Sequence, residues 1–382
     1  MQIKLYEIYA PIYTKYQTDK HSIKIWRRQK NLNTKTFGKY YKMTKFTESE
    51  NQIITSLSWF RTRYALFLDL ALDRKADKKN IEEFGEVWIG NFKCDWKDSF
   101  DSLVKKEILI FSQGAYEFTP KGESIKKEIE STIPFFKYEY DHFFDTEKMS
   151  LAHSKFCKFV YGKDLSQLGL IDQQELSILI EKLNIQQPEN VVDIGCGNGK
   201  ITEYIAGQIN AKFTGIDISA EGIKSAKERT EGNALLEFKA GNLNSLEFNK
   251  TYDTILFLDT LYYAEDLKNT ILTAMNSLNK NGRLFAYFSQ WIMDVSYSDN
   301  LKPKNTHLAK VLTDLGFDFL YTDLTNSGIK HWKKKLKVLE EMKNDFIKEG
   351  NKGLWDYRHR EAVRYANWGD NKYARYLYEV RK

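Results

Sequence analysis

The stretch Val191-Val192-Asp193-Ile194-Gly195-Cys196-Gly197-Asn198-Gly199 decides the fold. Val191 to Ile194 reads as a short buried strand. Three glycines at alternate positions follow, and Ile201-Thr202-Glu203-Tyr204-Ile205-Ala206 continues as a helix. Glycine at the carboxyl end of a first strand lets the backbone turn sharply and admits a ligand where a Cβ would collide. The spacing is GxGxG, and Lys200 stands where the last glycine of a dinucleotide GxGxxG would be. Several ligand classes share such a turn, so the neighbouring segments have to separate them.

Outward from the turn, Phe213-Thr214-Gly215-Ile216-Asp217-Ile218 reads as a second strand ending in an acid, 18 residues beyond Gly199. A carboxylate there accepts from both hydroxyls of a ribose, each charge-assisted bond being worth roughly 1.5–3 kcal/mol. Leu236 to Leu243 reads as a third strand followed by Asn242, a polar residue suited to an adenine amino group. Tyr252 to Asp259 makes a fourth strand, Ala264 to Leu278 a helix, and Gly282 to Phe288 a fifth strand. Near the end, Tyr373 to Val380 alternates like an antiparallel last strand. Taken singly, the glycines serve a tight turn and Asp217 an ordinary N-cap. The ordered set is what carries information.

That set, "VVDIGCGNG", "FTGIDIS", "AGNL", "YDTILFLDTLYY" and "LNKNGRLFAYF", resembles the class I S-adenosylmethionine-dependent methyltransferases over roughly Ile171 to Lys382. The resemblance implies an α/β fold with a doubly wound, seven-stranded, mostly parallel Rossmann-like sheet. It also implies S-adenosyl-L-methionine as cofactor, and no metal. By position, Asp193, Gly195, Cys196, Gly197 and Gly199 would line its methionine end and Asp217 would hold the ribose. Ile218 would pack on adenine, Asn242 and Leu243 would border it, and Leu258 would close the floor. The family's third motif usually has Asp where this chain has Asn242.

For the acceptor the sequence says less. In winged-helix O-methyltransferases a histidine follows the fourth strand, whereas here Leu261-Tyr262-Tyr263 stands. Tyr262 is read as orienting or stacking on an acceptor, and His153 as a candidate base, with His307 the other histidine to test. "VYGKDLSQLG" resembles the lead-in of lipid and small-molecule methyltransferases, which nominates Tyr161, Gln167 and Gly169 as contacts. Tyr263 and Trp291, at the ends of the fourth and fifth strands, complete the candidate substrate set. Trp332, Leu336, Leu339, Met342 and Phe346 fall on one helix face and are read as a packing stripe.

The first part of the chain reads in three pieces. Residues 1–48 form a basic arm, residues 1–50 holding 11 Lys+Arg against 4 Asp+Glu. Residues 49–132 give three helical segments, a hairpin around Ser112-Gln113-Gly114 and a helix opened by Thr119-Pro120. That order resembles a winged-helix domain, which in two-domain O-methyltransferases dimerises and roofs the active site. Residues 133–170 read as a helical bridge or cap, and residues 171–382 as the methyltransferase domain.

At 382 residues, 42% hydrophobic and 29% charged, the chain is long enough for two cores. It has no apolar run approaching the ~20 residues of a membrane span. Cys94, Cys157 and Cys196 suggest neither a disulfide framework nor a CxxC zinc site. The expectation is a cytoplasmic enzyme, homodimeric through its first domain, methylating N or O of a small metabolite. Nucleic acid is not expected as a partner, since Leu258-Asp259-Thr260-Leu261 replaces the [ND]PP[YFW] of base-flipping methylases. The alternative is a winged-helix nucleic-acid-binding regulator or RNA-modifying methyltransferase.

Overall fold

The computed structural model describes residues 45–66, 75–88, 96–132, 135–185, 189–209, 211–292 and 294–382. The basic arm lies outside the described residues up to position 44. The chain divides into two compact units, Met1–Phe135 and Phe136–Lys382.

In the first unit, α1 (Glu48–Leu66) starts at a reciprocal cap. Thr47 N donates to Glu50 Oε2 and Glu50 N to Thr47 Oγ1. Its apolar face buries Ile53, Ile54, Leu57 and Phe60; the helical spacing of apolar residues runs on in the sequence through Phe67, Leu68 and Ala71, which lie outside the described residues. Then come α2 (Lys78–Trp88), α3 (Lys97–Lys105), β1 (Leu109–Ser112), β2 (Ala115–Phe118) and α4 (Pro120–Thr132). β1 and β2 pair antiparallel, Ser112 opposite Ala115. Gln113 and Gly114 both take positive φ, 51° and 80°, as a two-residue hairpin turn of matching twist requires. Thr119 Oγ1 caps α4 by accepting from Gly122 N. Three helices, a hairpin and a helix follow in the order read from the sequence.

The second unit is built on seven strands. α5 (Phe135–Glu147), α6 (Leu151–Tyr161) and α7 (Gln173–Leu183) lead into β3 (Glu189–Ile194) and α8 (Lys200–Ala206). β4 (Ala211–Asp217), α9 (Ala220–Arg229), β5 (Leu236–Ala240), β6 (Tyr252–Leu258) and α10 (Leu267–Asn276) follow. β7 (Leu278–Trp291), α11 (His307–Asp314), β8 (Phe319–Asp323), α12 (Thr325–Lys348), α13 (Lys352–Ala366) and β9 (Tyr373–Arg381) close the chain. The sheet order is β5-β4-β3-β6-β7-β9-β8. All neighbours from β5 to β7 are parallel, while β9 runs antiparallel to both β7 and β8. This is an α/β Rossmann-like sheet, mostly parallel and seven-stranded, as expected.

Central strands are apolar on both faces because helices cover both. Ile255, Leu256 and Phe257 are consecutive and fully buried. The segment read as a bridge packs within this unit: Phe143, Phe156 and Val160 share a core with Leu339, Phe346, Leu354 and Trp355. Leu339, Met342 and Phe346 of the α12 stripe point into that core, with Leu336 against it, while Trp332 packs with Leu170 and Tyr373. No helix among the described residues is long and apolar enough to cross a membrane.

Candidate functional site

β3 ends in a bend that only glycine accommodates. Gly195, Gly197 and Gly199 all have positive φ, 85°, 58° and 75°. A Cβ on Gly195 would fall 2.1 Å from Thr260 Cγ2. The bend is strapped to the next strand: Gly195 N and Cys196 N both donate to Ile216 O. Asp217, at the end of β4, accepts from Gly197 N through Oδ2 and from Ser219 N through Oδ1, both at 2.8 Å. The acid read as ribose-binding therefore sits at the glycine bend. Each of its oxygens keeps a lone pair for a further donor. Burial pushes its carboxyl up to about 6, against the pull of those two N–H groups.

Asp193 is fully buried. Thr202 Oγ1 donates to its Oδ2 at 2.6 Å, but Oδ1 has no partner among the described residues. Burial pushes this carboxyl up to about 7. A buried carboxylate oxygen left without a donor is costly, and a ligand bearing an ammonium group would relieve it. Cys196 is buried in the same turn, its thiol pushed well above its ordinary range by desolvation.

The adenine side is more open. Ile218 and Leu243 are half-buried and Leu258 is buried. Asn242 caps a short 3-10 turn, its side-chain oxygen accepting from Asn244 N. Asn244 in turn reaches the loop after β6, donating to Tyr263 O and accepting from Glu265 N. The residue beyond the expected one thus ties the two loops together.

One helix touches three loops of this edge, and sequence reasoning gave it no such role. From α5, Asp141 Oδ1 accepts from Ser219 Oγ and Glu221 N, Glu147 Oε1 accepts from Asn198 Nδ2, and Tyr140 donates its hydroxyl to that of Tyr263. A Cβ on Gly197 would meet the Phe144 ring at 2.8 Å. The available signal was the spacing of Tyr140, Phe144 and Glu147, which puts them along one helix face.

Beyond β6 the polar chemistry changes. Asp259 has φ 62°, a left-handed conformation uncommon outside glycine but tolerated by Asp better than by most residues, immediately after the strand. Arg375, fully buried in β9, donates to both oxygens of Asp259 (2.6 and 2.9 Å), to both of Glu175 (2.9 and 2.8 Å) and to Ser289 Oγ. Tyr262 lies in this network, donating to Asp259 Oδ1 and accepting from Ser289 N. Burial, with Asp259 adjacent, holds its hydroxyl well above the ordinary phenol range, which removes it as a base near neutrality. Neither Arg375 nor Glu175 was nominated from the sequence.

The remaining candidates spread out. Trp291 packs on Tyr262, Tyr365 and Tyr373, its indole N–H unpartnered among the described residues. Tyr263 meets Tyr140 and Phe136 edge-on. Tyr161 donates to Gly169 O and accepts from Arg358, while Gln167 Oε1 accepts from Leu165 N. His153 is fully buried between Phe143 and Phe156 and reaches the bend through Glu147, which accepts from Asn198. Desolvation lowers its basicity. His307 opens α11, where its backbone N–H binds Gln290 Oε1.

Residues 185–343 match the family model described as a methyltransferase domain. Phosphoethanolamine N-methyltransferase 1 of Arabidopsis thaliana is 27% identical over 212 residues, 52% of this chain and 42% of that enzyme. Ubiquinone biosynthesis O-methyltransferase of Rickettsia canadensis is 25% identical over 197 residues, 48% of this chain and 82% of that enzyme. The match thus spans less than half the length of the Arabidopsis relative. Among solved structures, Haemonchus contortus phosphoethanolamine N-methyltransferase 2, in complex with S-adenosyl-L-methionine, is 15% identical. It aligns with a TM-score of 0.51 over 70% of this chain and 62% of its own, a likeness of fold. Together these findings support a class I methyltransferase domain in the second unit, with S-adenosylmethionine as its cofactor.

Proposed function

We propose that this chain transfers a methyl group from S-adenosylmethionine to a nitrogen or oxygen of a small metabolite. The observation that carries the reading is the placement of Asp217 on the Gly197 N–H, beside a buried Asp193 oxygen that lacks a donor. Asp217 would take the ribose hydroxyls, and Asp193 with the bend at Gly195 and Gly197 the methionine end. Ile218, Asn242, Leu243 and Leu258 would border the base. When bound, S-adenosylmethionine supplies a methyl group already activated on a sulfonium.

The protein then has mainly to align the acceptor, and orientation supplies about 7–11 kcal/mol of a barrier in favourable cases. The Arg375–Asp259–Ser289–Tyr262 network fixes the wall on which the acceptor rests. Tyr262 and Trp291 stack there rather than accept a proton, which favours an amine presented unprotonated or an already acidic hydroxyl. The first unit, with its helix-helix-helix-hairpin-helix order, is read as a winged-helix-like scaffold and dimer element. The enzyme is taken to act in the cytoplasm.

Incubating the full chain with methyl-labelled S-adenosylmethionine and a metabolite extract tests the activity. Label in a small-molecule product supports it. Label confined to nucleic acid, or none despite cofactor binding, contradicts it. Sedimentation of the same protein tests the dimer, a monomer at micromolar concentration removing it.

A further inference from the structure

α12 and α13 are inserted between β8 and β9, antiparallel neighbours that a short hairpin would suffice to join. The insertion carries two cations into the interior. Arg358 is fully buried, its guanidinium 5.2 Å from the Phe156 ring centre. It donates to Tyr161 Oη, Gln167 O and Leu168 O, all uncharged acceptors, and its Nε has no partner among the described residues. Among the described residues no carboxylate lies within ion-pair distance of it. Lys335, likewise fully buried, stands over the Trp332 ring at 4.5 Å and pairs with Glu361 Oε2 at 2.6 Å. Gln167 Nε2 and Trp332 Nε1 are also buried without an acceptor among the described residues.

The arrangement has two buried positive charges, one nearby carboxylate already engaged by Lys335, and unpaired N–H donors on three side chains. A charge kept from water without a counter-ion is among the most expensive features a core can hold. Donors in excess of acceptors define what is missing: a group with negative charge and several acceptor oxygens. The cluster is also continuous with the acceptor wall. Tyr161, held by Arg358, donates to Gly169 O, and at the next residue Leu170 N donates to Asp259 Oδ2.

We propose that Arg358, Lys335 and Gln167 form a binding site for an oxyanion, a phosphate or carboxylate, carried by the methyl acceptor. The acceptor is then a molecule with its nucleophile toward Asp259 and Tyr262 and its anionic end under α13. The link to the acceptor rests on the methyltransferase reading, whereas the anion site itself does not.

The test is calorimetric titration of the full chain with inorganic phosphate, run with and without S-adenosylhomocysteine. Saturable binding is expected, weakened at least tenfold by Arg358→Met. Gln167→Glu keeps the oxygen that accepts from Leu165 and adds an opposing charge, so it should weaken phosphate binding as much. S-adenosylhomocysteine affinity, within twofold of the parent in both variants, certifies the fold. Absence of saturable phosphate binding, or equal binding in variants that still take S-adenosylhomocysteine, overturns the site. Phosphate binding in a protein that never binds S-adenosylhomocysteine leaves the site standing and removes the methyltransferase reading. With labelled S-adenosylmethionine, a short amino phosphomonoester should be methylated and its unphosphorylated amine should not. The reverse preference overturns the assignment of the anion to the acceptor.

Discussion

Around Gly197 the bend is met by backbone N–H donors and by two carboxylates, Asp193 and Asp217, from adjacent strands. Around Asp259 the polar groups are side chains from distant segments. Arg375 bonds Asp259 across 116 positions and Glu175 across 200. Among the described residues the first region leaves an Asp193 oxygen unpartnered, while beside the second the indole N–H of Trp291, packed on Tyr262, is unpartnered. One edge of a single sheet thus offers acceptors at one place and donors at another. The difference fits a cationic donor molecule beside an acceptor with an anionic end. It also separates what is rigid by covalent nearness from what is rigid only because the whole sheet is folded.

The largest effect that would sharpen this contrast comes from Arg375→Met. It leaves Asp259 and Glu175 buried without their counter-charge, and breaking such a network costs about 3–5 kcal/mol. A urea midpoint within experimental error of the parent would show that the acceptor wall does not depend on long-range pairing. At the cofactor bend, Gly195→Ala forces a Cβ toward Thr260 at φ 85°. Strain of about 1–3 kcal/mol and a blocked approach should lower S-adenosylhomocysteine affinity at least tenfold by calorimetry. An unchanged affinity would mean the glycine serves the turn alone.

What could be read beforehand follows the same division. β3, β4 and the glycine turn were legible because strand, bend and acid are consecutive and each has a local signature. β8 was not read, being a five-residue edge strand with mostly exposed side chains. Its partner β9 was read from the alternation of Tyr373 to Val380. α5 was recognised as helical, but its hold on three loops depends on where the bridge folds back. Arg375, Glu175 and Arg358 look in sequence like any charged surface residues. Only burial distinguishes them, and burial is a property of the assembled fold.

The two regions should also differ in their response to pH. Asp193, at about 7, and Asp217, at about 6, are both raised above their unfolded values. Between about pH 4 and pH 7 the folded chain binds more protons there than the unfolded one, so unliganded stability falls as pH rises. Ligand affinity should run the other way. An ammonium group needs Asp193 ionised, so S-adenosylhomocysteine should bind more tightly with rising pH up to about 7, by at most about tenfold per unit. Asp193→Asn should make both profiles shallower, leaving the stability slope that Asp217 contributes below about pH 6, and parallel slopes for stability and affinity would break the assignment. Smallest is Tyr262→Phe, which removes a hydroxyl with one donor and one acceptor partner. A loss of about 1 kcal/mol in stability and less than tenfold in turnover is expected, with no displacement of the pH–rate profile. A displaced profile would make this tyrosine a proton carrier after all.

Asp217, the acid at the end of β4, is the residue that would grip the ribose of the cofactor. Calorimetry of S-adenosylhomocysteine binding to the full chain and to Asp217→Ala measures that directly. Saturable binding by the parent, weakened by an order of magnitude or more in the variant, is the predicted result. Equal affinity in the two proteins, or a parent that prefers a dinucleotide, would contradict it.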